Sequence, residues 1–328
     1  MTLPHLPIRH LGTAPLGTLA ALAPDQTEAL RRIAERTYGR APLALGDRLS
    51  RAWVGRHGLA VEGEIERVAA TTAGPGAWML NLSFEWGCTA AAAADSHQRP
   101  VLRRTLDWPL EGLGQTATAA RLSSPAGDWM AMTWPGFVGV LTGFAPGRFA
   151  VSINQAPMLP HGYGRVGDWL VNRWRLWRNG GLPPALALRE ICETSADFAT
   201  ARARLIATPL AMPAIFTLVG TKPGEQVVVE RLEREARVHD GPTVAANHWI
   251  APDLPGRMRS RQSTQRSPER RRTMEDASAA SQRPLDWLVY PVLNETTRLA
   301  VDLCPATGEG WAQGFEAGAP VTAVTALH

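Results

Sequence analysis

One cysteine stands where chemistry is possible. Cys88 follows Gly87 and opens the small-residue run Cys-Thr-Ala-Ala-Ala. Arg104 comes sixteen residues later, and Asp107 three after that. A free thiol has a pKa of about 8.5 and is mostly protonated at neutral pH; a neighbouring cation lowers that value. Arg104 can supply such a charge. A cysteine that carries a free α-amine has a second asset. That amine, with a reference pKa of about 8, can take the thiol proton within one residue. Asp107 can then bond the amine and fix its direction. The same three residues also fit an inert, buried cysteine with an unrelated Arg and Asp at a strand end. Spacing alone leaves both readings open.

The elements that would position them read as follows. Residues 26–37 form an amphipathic helix, with Leu30, Ile33 and Ala34 on one face. Helices are also expected over 46–54 and 62–71, before the breaker Gly74-Pro75-Gly76. Strands are then expected over 78–86, 89–94 and 101–106. If the last two pair antiparallel, Arg104 and Asp107 return beside Cys88. A hairpin follows, with strands at 136–142 and 148–153 around Gly143-Phe-Ala-Pro-Gly147. The middle is helical, at 168–177, 185–192 and 197–206. Strands resume at 214–219, 226–232 and 244–250. A polar loop runs from 255 into a helix near 270–280, and strand-like segments follow at 287–293, 298–303 and 310–315. Strands, then helices, then strands indicate an α+β fold rather than alternating parallel units.

Composition bounds the function. The chain has 328 residues, 45% of them hydrophobic, enough for a sizeable core. No apolar run reaches the ~20 residues of a membrane helix. The start shows no charged-then-apolar secretory pattern, so a cytoplasmic protein is expected. The net charge is +4, nearly all of the positive charge is arginine, and Lys222 is the one lysine. A charge of that size gives little reason to expect a nucleic-acid partner. The cysteines Cys88, Cys192 and Cys304 form neither a disulfide framework nor a metal-ligand pattern. No metal and no cofactor are expected.

The segment Asn81-Leu-Ser-Phe-Glu-Trp-Gly-Cys-Thr89 resembles the junction of acid ceramidase and N-acylethanolamine acid amidase, members of the choloylglycine-hydrolase group of N-terminal-nucleophile (Ntn) hydrolases. Arg104-Thr-Leu-Asp107 resembles their Arg-Asn-x-Asp at the same offset. Gly136-Phe-Val-Gly-Val-Leu-Thr-Gly143 and Ser152-Ile-Asn154 resemble the next two strands. Phe216 to Thr221, the stretch Val244-Ala-Ala-Asn-His-Trp249 and Arg270-Arg-Arg-Thr273 continue the likeness in order, so it spans about residues 62 to 315. The chain departs from the pattern at Arg103, Thr105, Gln155 and Gly87. Relatives have Gly, Asn and often Glu at the first three, and other residues before the nucleophile.

The resemblance implies an αββα sandwich with antiparallel sheets, cut between Gly87 and Cys88. Residues 1–87 would be a helical propeptide or α subunit ending in a strand. Residues 88–328 would be the catalytic β subunit, so that self-cleavage makes an α/β heterodimer. Cys88 would attack a linear amide and form a thioester, with its own amine as base. Arg104 and Asp107 would hold thiol and amine, Asn247 would donate to the oxyanion, Asn154 would form a polar wall, and Arg271 would add a charge. A small N-acyl amide of the fatty-acyl class is the implied substrate, and a membrane-surface contact would suit a lipid one. Trp169, Trp174 and Trp177 either line an apolar channel or pack in the core. Two other readings stand beside hydrolysis: acyl transfer on the same fold, and a non-enzymatic protein binding an anion through Arg257–Arg272.

Overall fold

The computed structural model describes residues 2–83, 86–257 and 266–327. Two sheets lie face to face. The first runs, in spatial order, β1 (Ile8–Gly12), β4 (Thr118–Ser124), β5 (Gly127–Thr133), β6 (Thr142–Ala145), β7 (Phe149–Gln155), β8 (Ala214–Val219), β9 (Gln226–Arg231) and β10 (Ala236–Asp240). Within it β1 runs parallel to β4, and the other neighbours are antiparallel. The second runs β11 (Thr243–Ala245), β2 (Gly87–Ala94), β3 (Pro100–Asp107), β12 (Thr297–Cys304), β13 (Glu309–Glu316) and β14 (Ala319–Pro320). β15 (Thr325–Ala326) also pairs with β13.

Helices α8 (Pro184–Thr194) and α9 (Phe198–Ala207) cover the first sheet, and α10 (Ser267–Ala280) covers the second. The result is the expected αββα sandwich. Helices α1 (Thr18–Leu22), α2 (Pro24–Tyr38), α3 (Arg40–His57), α4 (Glu62–Ala70) and α5 (Ala77–Leu82) pack on one another. Helix α7 (Gly164–Arg178) joins them where Trp53 Nε1 donates to the Leu176 carbonyl at 2.9 Å. The short α6 (Leu113–Thr116) sits against β13.

β2 is a strand made mostly of alanine, a residue with little intrinsic liking for strands. Burial explains it. Cys88 and Ala92 point between the sheets into the main core, while Ala91 and Ala93 pack with Met274 beneath α10. Side chains of period two serve both faces, and small ones let a sheet and a helix close on the strand at once. β3 alternates likewise. Leu102 and Leu106 join the core between the sheets, and Arg103 reaches the Ser278 hydroxyl on α10 at 2.9 Å.

Four sequence expectations change. Residues 78–86 are not a strand: 77–82 form α5, and 84–85 lie outside the described residues. Asp47 explains the helix, because its carboxylate accepts from the Gly76 and Met79 N–H groups and so caps α5 from α3. The 1–87 segment therefore ends after a helix, with β2 beginning at Gly87 itself. The segment also supplies β1, an edge strand of the first sheet. Residues 136–141 are not a strand either. The Val138 N–H goes to Asn81 Oδ1 and the Val140 N–H to the Ala185 carbonyl, so neither joins a ladder. Residues 287–293 form turns, in which Trp287 and Val292 pack below α10 and Pro291 has no N–H to pair. The 244–250 strand stops at Ala245.

Candidate active site

Cys88 is the second residue of β2 and is wholly buried. Antiparallel pairing sets Cys88 opposite Leu106, Ala90 opposite Arg104 and Gly87 opposite Asp107. Arg104 faces between the sheets, as the thiol does. Its Nη2 lies 3.0 Å from Cys88 Sγ and donates to the Ile153 carbonyl at 3.1 Å; its Nη1 donates to Thr142 Oγ1. Burial pushes the Cys88 thiol up, and the Arg104 guanidinium pulls against it. Burial wins, so in the uncut chain residue 88 is a thiol held beside a cation.

Asp107 is three residues from Arg104, so it lies on the other face of β3. There its Oδ1 accepts from the Thr297 hydroxyl at 2.8 Å and its Oδ2 from Arg270 Nη1 at 3.1 Å. Arg270 reaches down from α10 and is 3% exposed. The same Nη1 lies 2.9 Å from the Cys88 carbonyl oxygen and 2.7 Å from Thr89 Oγ1. Its Nη2 donates to Asn247 Oδ1 at 2.7 Å. Two guanidiniums thus bracket residue 88, Arg104 on its sulfur and Arg270 on its backbone.

Asn247 closes the arrangement. Its Oδ1 also accepts the Cys88 N–H at 3.0 Å, and its Nδ2 donates to the Gln155 carbonyl at 3.0 Å. Donors on one side and an acceptor on the other fix which way the amide points. The chain reaches this position because β11 ends at Ala245 and bends away. Beyond the bend, Glu230 on β9 accepts from the Ile250 and Ala251 N–H groups. Asn154 makes no hydrogen bond to Cys88. Its Nδ2 donates to the Ala245 and Ala246 carbonyls, both at 3.1 Å, and so holds the backbone that leads into Asn247.

Arg104, Asp107 and Asn247 are therefore gathered around Cys88, with Asn154 one layer behind. Arg271 is not. It is partly exposed and pairs with Glu275 at 3.0 Å, one turn along α10. The residue that enters is its neighbour Arg270, which the sequence reading passed over. A signal was present. Ser267-Pro268-Glu269 is a helix start, and counting from there puts Ser267, Arg270 and Met274 on one face. All three are buried, and Arg271 is turned about 100° away.

The other arginines of the 257–272 stretch are partly accounted for. Arg257 lies 3.3 Å from Asp168, and Arg266 pairs with Glu269 and Tyr290. Arg259 and Arg261 lie outside the described residues. An anion-binding surface loses Arg270 to the site, and Arg257, Arg266 and Arg271 have acidic partners. Among the described residues no group of three His, Cys, Asp or Glu side chains could hold a metal ion, and no helix is long and apolar enough to cross a membrane.

No family model matches the chain. The N-acylethanolamine-hydrolyzing acid amidase of Cavia porcellus is 30% identical over 158 residues, 47% of this chain and 42% of that protein. The acid ceramidase of Homo sapiens is 31% identical over 106 residues, 32% of this chain and 26% of that protein. The aligned segments thus span less than half of these curated relatives. Among solved structures, the Caenorhabditis elegans N-acylethanolamine-hydrolyzing acid amidase ortholog superposes with a TM-score of 0.53 at 19% identity, over 67% of this chain and 93% of that one. By sequence and by its αββα sandwich, this chain is a homologue of acid ceramidase and N-acylethanolamine-hydrolyzing acid amidase, with the fold of the Ntn hydrolases.

Proposed function

We propose that the chain is a cysteine Ntn hydrolase that cuts a linear amide bond in an N-acyl substrate of the fatty-acyl class, after cutting itself between Gly87 and Cys88. One observation carries this reading. The sulfur of residue 88 lies 3.0 Å from a buried guanidinium, and the nitrogen of the same residue is held at 3.0 Å by Asn247. Both ends of the future nucleophile are gripped before any cut is made.

In maturation the Cys88 sulfur attacks the Gly87 carbonyl carbon. The peptide C–N bond breaks, a thioester forms, and the Cys88 nitrogen takes the thiol proton. Water then cleaves the thioester, leaving a Gly87 carboxylate and a free amine on Cys88. In turnover the sulfur attacks the substrate carbonyl. The α-amine takes the thiol proton and passes it to the leaving amine. Water, deprotonated by the same amine, hydrolyses the thioester to the acid. Asn247 donates to the transient oxyanion, where a fixed dipole is worth most. Arg104 steadies the thiolate, and Asp107, with Arg270, the amine side.

The two pieces would stay together after the cut as an α/β heterodimer. β1 is part of the first sheet, Glu64 pairs with Arg189 at 2.7 Å, and Asn81 takes the Val138 N–H at 2.8 Å. A groove of about 460 Å³ is lined by Leu45, Leu49, Trp53, Met79, Leu82 and Trp169. Its apolar walls suit an acyl chain. Beside it Val166, Trp169, Leu170 and Trp174 of α7 stand exposed at helical spacing, with Arg173 and Arg178 over the indole rings. Such a stripe suits a membrane surface.

Intact-mass measurement of wild type and Cys88→Ala tests the reading. The wild type should yield fragments that start at Met1 and Cys88 and should release fatty acid from an N-acylethanolamine. Cys88→Ala should remain one inactive chain. Fatty-acid release by Cys88→Ala would refute the proposal.

A further inference from the structure

Asn247 is held from behind by two residues that no step of the proposed reaction uses. Ser267, the first residue of α10, is wholly buried. Its Oγ accepts the Asn247 N–H at 2.8 Å and lies 2.7 Å from His248 Nδ1. A hydroxyl has one proton and two lone pairs. The Asn247 N–H occupies a lone pair, so the proton is free for the imidazole. Accepting it requires Nδ1 to be bare, hence a neutral ring with its proton on Nε2.

The connection closes on itself. From the Asn247 backbone it runs to Ser267, one turn along α10 to Arg270, and back through Arg270 Nη2 to Asn247 Oδ1. We propose that His248 and Ser267 are positioning residues for the Cys88 site. The neutral imidazole orients the Ser267 hydroxyl, which locks the Asn247 loop to the first turn of α10 and keeps Asn247 and Arg270 on residue 88. This rests on the proposed role of Cys88.

A protonated His248 would turn Nδ1 from acceptor to donor. Ser267 would then face two donors, with no acceptor for its own proton among the described residues. The surroundings oppose that state. Burial and the guanidiniums of Arg271, Arg270 and Arg272 on α10 hold the His248 pKa at about 4, below its ordinary 6.5. On the β9 side, Glu230 spends its carboxylate on the Ile250 and Ala251 N–H groups and on His239. Asp107 lies beyond Arg270 and is paired with it. The lock therefore holds in neutral and mildly acid solution and opens as pH falls through about 4.

Two measurements test this. In uncut Cys88→Ala protein, NMR of the His248 ring and the Asn247 amide should show an Nε2–H tautomer at neutral pH. Both signals should move together, with a midpoint near 4. Ser267→Ala should uncouple the amide from the ring. A His248 midpoint at its ordinary value, or an Asn247 amide that ignores the ring, would overturn the proposal, whether or not Cys88 proves to be a nucleophile. In the active chain, His248→Phe should slow self-cleavage at neutral pH by about tenfold, the worth of roughly one hydrogen bond. His248→Asn, whose Oδ1 accepts but does not titrate, should restore the rate and remove the acid limb near pH 4. A limb unchanged in His248→Asn, or a wild-type rate in His248→Phe, would also overturn it.

Discussion

Arg270 and Arg271 are adjacent in sequence, yet the structure gives them opposite weights, and Arg270→Met measures the difference. Arg270 contacts the Cys88 carbonyl, Thr89 Oγ1, Asp107 Oδ2 and Asn247 Oδ1, all within 3.1 Å. Asp107 is 2% exposed. Removing the cation leaves that carboxylate with the Thr297 hydroxyl as its remaining side-chain hydrogen bond among the described residues. Breaking a buried pair by removing one partner costs about 3–5 kcal/mol, mostly the charge left behind. Unfolding entropy of about 2 cal/mol/K per residue over 328 residues turns that into a fall in Tm of about 4–7 °C. The assay is urea and thermal unfolding in the Cys88→Ala background, which keeps one chain throughout. Arg271→Met should stay within about 0.5 kcal/mol of its parent, because it loses one partly exposed pair a turn apart. The diagnostic variant is Arg270→Met with Asp107→Asn. If the penalty is a stranded charge, the double variant is destabilised by about 2 kcal/mol less than the two single changes added together. Additive effects, or equal losses at 270 and 271, would refute the reasoning.

Two further predictions concern access to the site. In uncut protein Cys88 and Cys192 are both fully buried, with thiols pushed up by that burial. Alkylation should therefore be slow at both. After cleavage, a reagent selective for N-terminal cysteine should label the fragment that starts at Cys88 in one-to-one ratio; fast alkylation of Cys88 in the uncut chain would contradict the buried geometry. The second concerns the exposed stripe of α7. Trp169→Ser with Trp174→Ser should weaken co-sedimentation with anionic vesicles by about tenfold or more and leave Tm near its parent value, because both rings face solvent. Unchanged vesicle binding would remove the stripe from any membrane role.

Much of the site was legible in the sequence, because strands alternate and hairpins return. The return of β3 past β2 brings Arg104 to the thiol, and the collinear motifs of the wider family pointed to Asn247 as well. Other features depended on contacts that no local pattern contains. Residues 78–86 read as a strand until Asp47, about thirty residues earlier, caps 77–82 as a helix. Residues 136–141 read as a strand until Asn81 takes an N–H that a ladder would have used. The Arg270-Arg-Arg-Thr273 motif implied Arg271, but a shift of one position on a helix turns a side chain by about 100°, and packing of α10 buries Arg270 instead.

By itself, the sequence determined the strand and helix texture of the sandwich and the spacing of Cys88, Arg104 and Asp107, since these rest on periodicities of two and 3.6 that any local stretch carries. Tertiary structure decided the faces. Arg104 and Asp107, three apart on one strand, point opposite ways, so the first meets the sulfur and the second meets a cation supplied from α10. Which arginine that is, and what holds Asn247 in place, follows from long-range packing of buried polar groups, each of which needs a partner that only the folded chain provides.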